Sequence, residues 1–226
     1  IDGAVQDIIL GVALQHFANV RCIAEENTPL RRRFQGRGSD YAIILDPIDG
    51  TLHFQKGDGP YHISLGLAYR GAMVAAIVAR PTEDKLFTAT RSEGAYLQHG
   101  SRRRRRLTLP RAAATKRAFI SSKAREYQQA AKPRLQAREY PIGAALVLTL
   151  MAEGELSAYL TRQVEVHDVG PPSLIAEEAG SSCFLRRGRM PYYRTRRKFS
   201  FYMAAADPDL RQFLLSLVDV VEAEKR

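Results

Sequence analysis

A short apolar run, Tyr41 to Leu45, leads directly into Asp46-Pro47-Ile48-Asp49-Gly50-Thr51. An apolar stretch of this length, bounded by turn residues, reads as a buried strand ending at Asp46. Beyond it Pro47 fixes one backbone angle and Gly50 lets the chain turn sharply. Any fold of this chain must therefore deliver two carboxylates, a hydroxyl and a glycine to one strand end. Such a turn can aim Asp46 and Asp49 at a single hard cation and expose an intervening carbonyl as another oxygen ligand. The same residues also suit an ordinary turn that caps a helix.

Other acids stand at similar places. A strand over Val20–Ala24 delivers Glu25 and Glu26, and Asp168 sits at a helix start just ahead of Pro171 and Pro172. Taken singly, these read as a solvated pair and a helix N-cap. Taken together, they put four or more carboxylates at element ends, where binding sites are assembled. The chain is otherwise basic, with 34 Lys and Arg against 24 Asp and Glu and a formal charge of +10. Clustered acids in that setting need a compensating charge, which one or more Mg²⁺ ions would supply. Two such ions could neutralise a phosphate ester, activate water and stabilise a departing alkoxide.

The remaining chain reads as mixed α and β structure. Helices are expected over Asp2–Ala18, with Val5, Ile8, Ile9, Val12, Ala13 and Phe17 as its apolar positions, over Ile142–Ala152, through Ile175–Ala179, and from Asp207-Pro208 onward. Strands are expected over Tyr61–Tyr69 and Met73–Ala79, joined by a tight Arg70-Gly71 turn, and over Lys85–Thr90, Ala95–Gln98, Ala118–Ser122, Leu156–Leu160 and Phe199–Ala204. Pro29 and the arginines Arg31 to Arg37 form a basic loop, and Arg102–Arg106 reads as a solvated turn between strands. The change of pattern after Pro110 divides the chain into a metal-binding part, 1–110, and a part completing the site, 111–226, within one compact unit.

At 226 residues and 45% hydrophobic content, disordered, fibrous and collagen-like classes are excluded. The basic surface favours anionic partners without choosing among nucleic acid, acidic lipid and phosphorylated metabolite. Cys22 and Cys183 read as small buried hydrophobes, and two cysteines build no disulfide framework. His53, His62, His99 and His167 are not spaced like a histidine metal site and read as structural or exposed. No run approaches 18 apolar residues and no signal peptide opens the chain, so a cytoplasmic location off the membrane is expected. Because Ile1 stands where Met would begin a protein, the chain is expected to begin inside a longer one.

Four segments together resemble the inositol monophosphatase family, within the lithium-sensitive, Mg²⁺-dependent phosphatases. They are Ile23-Ala24-Glu25-Glu26, Leu45 to Thr51, Gly143-Ala144-Ala145, and His167-Asp168-Val169 with Leu174 to Gly180. The resemblance implies a layered α/β/α/β/α fold, frequently homodimeric. It also implies a phosphomonoesterase that hydrolyses a small anionic phosphate ester by in-line attack of metal-activated water. An inositol phosphate, a sugar phosphate, histidinol phosphate and a 3′-phosphonucleotide are the candidate substrates.

By the same resemblance Glu25, Asp46 and the Ile48 carbonyl hold one Mg²⁺, and Asp46, Asp49 and Asp168 hold a second. A third, weaker ion near Glu25 belongs to the family pattern, and Mn²⁺ is an alternative to Mg²⁺. Thr51 with Asp2 and Glu25 would act on the attacking water. Gly50 and Thr51 N–H groups would bind phosphate, with Gly143 and Asp168 on the substrate side.

This chain departs from the pattern at Ala24, Asn27 and His167, the last standing where a Trp is usual, and at Val169-Gly170-Pro171-Pro172, whose prolines are expected to start the following helix. Thr161 replaces an acidic residue that contacts a ring hydroxyl in inositol-specific members, and Glu165 lies nearby out of register. The Arg31–Arg33 and Arg37 group could attract a second phosphate or a nucleotide. Nucleic acid is not the expected partner. The alternative is a non-enzymatic, regulatory relative that keeps the fold and binds anionic partners through its arginines.

Overall fold

The computed structural model describes residues 1–223 apart from 18, 35, 37, 111–114, 139–142, 189, 190, 192 and 194–197. Ala18, Arg37 and Ile142, named above, lie outside the described residues. A long helix, α1 (Asp2–Phe17), is followed by β1 (Arg21–Ala24), β2 (Tyr41–Asp49) and a short helix α2 (Thr51–Lys56). Five antiparallel strands then complete one sheet: β3 (His62–Tyr69), β4 (Ala72–Arg80), β5 (Lys85–Thr90), β6 (Gly94–His99) and β7 (Arg105–Leu107). Its spatial order follows the chain from β1 to β7, with only β1 and β2 parallel.

The second half alternates. It runs β8 (Arg117–Ile120), α3 (Glu126–Ala131), β9 (Gln136–Arg138), α4 (Ala144–Glu153), β10 (Ala158–Glu165), α5 (Val166–Ala179), β11 (Ser182–Phe184), β12 (Lys198–Ala205) and α6 (Pro208–Ala223). Its five-stranded sheet has the order β11-β12-β10-β8-β9.

Three apolar clusters define the layers. Leu10 of α1 packs on Ile43 and Leu45, which alternate to the outer face of β2. Ala42 and Ile44 point the other way, toward α4 and α5 and, across them, toward Phe119, Tyr159 and Tyr202 of the second sheet. Ile120, Leu160 and Met203 on that sheet's far face pack against Tyr127 of α3 and Leu214 of α6. The strand period of two feeds two cores at once, giving the expected α/β/α/β/α stack.

The Arg70-Gly71 turn has positive φ at both residues (48° and 84°), the geometry that matches strand twist in a two-residue hairpin. Several expectations shift. In α1 the helix forms, but Ile8 and Val12 are 71% and 59% exposed while Gln6 and Leu10 are fully buried. Arg105 and Arg106 belong to β7 and only the front of the arginine run is a turn. The strand expected over Leu156–Leu160 runs Ala158–Glu165, and α3, β9 and β11 are additions whose short segments carry little periodicity.

The largest correction concerns α5. It starts at Val166, so Pro171 and Pro172 lie inside the helix rather than in its first turn. Each proline removes a helical hydrogen bond, costing about 3 kcal/mol in an isolated helix. Burial between the two sheets overrides that cost, since Val166, Val169, Leu174, Ile175 and Ala176 are all completely enclosed.

The helix also approaches β3 closely. A Cβ added at Gly66 would lie 2.3 Å from Met73 Cε and 3.1 Å from Pro171 Cγ. Met73 can swing aside; the proline ring cannot. Gly66→Ala is therefore expected to cost about 1–3 kcal/mol, read as a lowered denaturant midpoint with unchanged slope.

Candidate active site

Parallel pairing of Ala24 with Leu45 sets Glu25 beside Asp46 at adjoining strand ends, and the Glu25 N–H donates to Leu45 O at 3.2 Å. The β2–β3 register passes from Asp46 opposite Ser64 to Asp49 opposite His62, three residues against two. One extra residue is thus bulged out of β2. A bulge is where a sheet tolerates proline, which explains why β2 continues through Pro47 to Asp49 instead of ending at Asp46. Asp46 Oδ1 accepts the Ile48 N–H at 3.1 Å, closing the turn. Gly50 follows with φ 93° as the N-cap of α2, leaving the first N–H groups of that helix without helical acceptors.

Asp49 crosses to the middle layer. Its Oδ2 accepts the Ala145 N–H at 2.8 Å in the first turn of α4. Gly143 caps that helix, and a Cβ there would lie 2.1 Å from Asp49 Oδ1. Asp168 stands at the third position of α5 rather than at its cap, and its Oδ2 accepts the Glu165 N–H at 3.1 Å. Glu165 and Asp168 form a reciprocal capping box. Thr51 Oγ1 lies 2.9 Å from Ile48 O and 3.4 Å from Asp2 Oδ2, so the expected Thr51–Asp2 pair is brought together.

Three further residues join that sequence reasoning had not placed. His167 brings a ring nitrogen within 4.8 Å of carboxylate oxygens of Glu25 and Asp46. Its Nε2 lies 3.2 Å from Asp168 Oδ1, so it belongs to the acidic cluster rather than to bulk structure. The signal was its position, beside Asp168 where the family pattern has Trp. Gln6, buried on α1, donates from Nε2 to Glu26 O and accepts the Glu26 N–H at Oε1, both at 2.9 Å. That clasp holds the chain immediately after Glu25. Ser64, opposite Asp46 on the same face of the sheet, has a buried hydroxyl without a hydrogen-bond partner.

The electrostatics favour a cation. Asp46 and Asp49 are 2% and 8% exposed, and neither forms an ion pair with Lys or Arg among the described residues. Burial, then the charges of Asp49 and Glu25, pushes the Asp46 carboxyl well above the usual range. Burial, then Asp168, pushes Asp49 up to about 7, against the opposing Ala145 N–H bond. Glu25 and Asp168 are raised chiefly by burial and partly relieved by His167. Converging oxygen donors, an orphan hydroxyl and the absence of a Lys or Arg paired with Asp46 or Asp49 among the described residues fit a hard divalent ion.

Cysteine chemistry is disfavoured. Cys183 is buried as expected, whereas Cys22 is only partly buried; desolvation raises the Cys22 thiol to about 11 and the Cys183 thiol further, so neither supplies thiolate near neutral pH.

A pH dependence follows for the metal-free protein. Asp49 has a folded-state pKa above its ordinary 3.8, so its contribution to stability is full below that value and lost as pH rises through about 7. The melting temperature measured in chelator should fall across that window. Added Mg²⁺ should raise it more above about pH 7 than near pH 5, because binding must displace these protons.

A cleft of about 360 Å³ opens onto Asp49, Gly50, Thr51, Gly143 and Asp168. Lys123, Tyr159 and Thr161 line it as well, with Thr161 Oγ1 2.7 Å from Ser121 Oγ. Glu165 takes part in the α5 cap and lies 3.3 Å from Lys198 Nζ. His62 is enclosed and receives a hydrogen bond from Arg80 Nε at 3.0 Å, while His53 pairs with Asp58. No described helix is long and apolar enough to cross a membrane.

Comparison with known proteins agrees with this architecture. The model of the inositol monophosphatase family matches residues 1–218. Nus factor SuhB of Vibrio cholerae is 27% identical over 80% of this chain and 68% of its own length. Inositol-1-monophosphatase of Mycobacterium leprae is 32% identical over 66% of this chain and 54% of its own. Nus factor SuhB of Pasteurella multocida is 33% identical over 43% of this chain, a match spanning 35% of that relative. The matches thus span between about a third and two thirds of these relatives.

Among solved structures, an IMPase from Thermotoga maritima superposes with TM-score 0.79 at 20% identity, covering 97% of this chain and 82% of that one. The extragenic suppressor protein SuhB of Bartonella henselae superposes with TM-score 0.76 at 23% identity, covering 95% and 85%.

Proposed function

This chain belongs to the inositol monophosphatase family, and from that premise we propose that it is a Mg²⁺-dependent phosphomonoesterase acting on a small anionic phosphate ester. The observation that carries the proposal is the clustering of Asp46 with Asp49, Glu25 and Asp168, close enough to repel one another, beside a cleft that Asp49, Asp168 and Thr51 line, with Asp2 in reach of Thr51. Glu25, Asp46, the Ile48 carbonyl, Asp49 and Asp168 would hold the metal. Bound there, divalent ions supply charge neutralisation for the ester and make water a usable nucleophile near neutral pH.

The chain's own groups do the rest. Thr51 has one hydroxyl proton, placed to go to Ile48 O or to Asp2. Passing it to Asp2 frees the oxygen to take a proton from an attacking water, so the pair acts as a relay. First-turn N–H groups after Gly50 would bind phosphate oxygens in the cleft. Lys123, which also lines the cleft, would offer a cation to the ester. Thr161, standing where inositol-specific members carry an acid for a ring hydroxyl, argues against myo-inositol phosphate as the preferred substrate.

Phosphate release should be measured on an inositol phosphate, a sugar phosphate, histidinol phosphate and a 3′-phosphonucleotide, with Mg²⁺ and with chelator. Mg²⁺-dependent turnover of at least one supports the reading, and none across the panel overturns it.

The SuhB-named relative that aligns with 80% of this chain favours a second reading, a regulatory protein that binds anionic partners. Its basic candidate surface is the exposed arginine run Arg102–Arg106. Salt-sensitive nucleic-acid binding lost on replacing those arginines would support it, and no binding at low salt would refute it.

A further inference from the structure

We propose that His167 is itself a metal ligand, and that its imidazole turns the centre into a mixed nitrogen–oxygen site preferring a first-row transition-metal dication, such as Mn²⁺, over Mg²⁺. The inference rests on the metal-dependent reading above and adds a donor outside the five oxygen ligands assigned there.

The geometry is specific. A ring nitrogen of His167 and carboxylate oxygens of Glu25 and Asp46 all lie within 4.8 Å of one another, a separation that one ion can bridge by coordinating all three. The three arrive from independent elements: Glu25 follows β1, Asp46 ends the regular part of β2, and His167 opens α5. The histidine is held in place. The capping box of Glu165 and Asp168 fixes the first turn of α5 around it, and Asp168 Oδ1 lies 3.2 Å from its Nε2. With Nδ1 as the ligating atom, a carboxylate on Nε2 is the arrangement that orients a ligating histidine and strengthens it as a donor. Ser64, directly across from Asp46, adds a buried hydroxyl without a hydrogen-bond partner beside that carboxylate.

Ligand chemistry then sets the preference. Mg²⁺ takes carboxylates, carbonyls and water in near-octahedral geometry and gains little from nitrogen. Imidazole strengthens binding along the first-row series. A carboxylate-only centre and a centre containing His167 therefore differ in the Mn²⁺-to-Mg²⁺ affinity ratio even where both ions bind.

The test uses the full chain stripped with chelator and titrated separately with Mn²⁺ and Mg²⁺ by calorimetry, followed by pulsed electron paramagnetic resonance of the Mn²⁺-loaded protein. Expected is a directly coordinated nitrogen in the wild-type spectrum, absent in His167→Ala and His167→Gln. The Mn²⁺-to-Mg²⁺ affinity ratio should fall about tenfold in both variants. Metal binding with no coordinated nitrogen in the wild type overturns the inference while leaving the metal-dependent reading intact, and makes His167 a counter-charge only. A nitrogen signal that survives both folded variants likewise overturns it. No binding of either ion removes both readings together. The wild-type spectrum decides the matter even where a variant fails to fold.

Discussion

Asp49→Asn is expected to lower Mg²⁺-dependent phosphate release by roughly 10³-fold, while the metal-free variant melts at a higher temperature than the parent near neutral pH. Two properties of Asp49 produce this opposition. As a carboxylate it contributes negative charge to the centre, and an amide does not replace that charge for a divalent ion. As an acceptor it takes the Ala145 N–H at 2.8 Å, and the amide oxygen of Asn preserves that bond. What Asn removes is a buried charge repelled by Asp168, the cause of the rise to about 7. Phosphate release and thermal melts in chelator, run on the same preparation, check both halves. Retained turnover would remove Asp49 from the metal set. A melting temperature well below the parent's would show that its main role is structural.

Gly143→Ala carries the second large effect. The glycine has an ordinary φ of −68°, so backbone freedom is not its reason. Space is the reason, because a methyl would lie 2.1–2.2 Å from the atoms of the Asp49 carboxyl group. That carboxylate is buried and bonded to α4, and cannot swing aside as an exposed side chain would. It must move by an ångström or more, or α4 must. Displacement on that scale is expected to reduce turnover by about 10²-fold and to cost about 1–3 kcal/mol of stability. Unfolding midpoints and turnover of Gly143→Ala, compared with Gly154→Ala at the far end of α4, separate local overlap from general weakening of the helix. Full activity in Gly143→Ala would show that Asp49 needs no fixed position.

The acidic constellation was legible because its residues are close in sequence or sit at unmistakable boundaries. Asp46 to Thr51 is one turn, and Glu25 ends an apolar run. What failed did so where local pattern and tertiary packing disagree. The apolar positions of α1 predicted a helix but pointed to Ile8 and Val12, whereas the buried stripe runs through Gln6 and Leu10. Gln6 is buried because its amide satisfies the Glu26 backbone, a partner twenty residues away. The prolines of α5 looked like a helix start because an isolated helix would not carry them internally. Enclosure between two sheets reverses that preference.

The sequence by itself determined which atoms are available for chemistry: oxygen donors at strand ends, a threonine after Asp-Gly, and no histidine cluster by spacing. It also determined a mixed α and β chain, since strand and helix periods are local properties, while the layered order was what the family resemblance implied. Only the tertiary structure decided which of those atoms meet. Parallel pairing set Glu25 beside Asp46, a one-residue bulge turned Asp49 toward α4, and the buried start of α5 carried His167 into the same cluster. The physical reason is that register, bulge and helix entry are fixed by burial and hydrogen bonding between segments far apart in the chain. No local pattern encodes such a contact until the layers are packed.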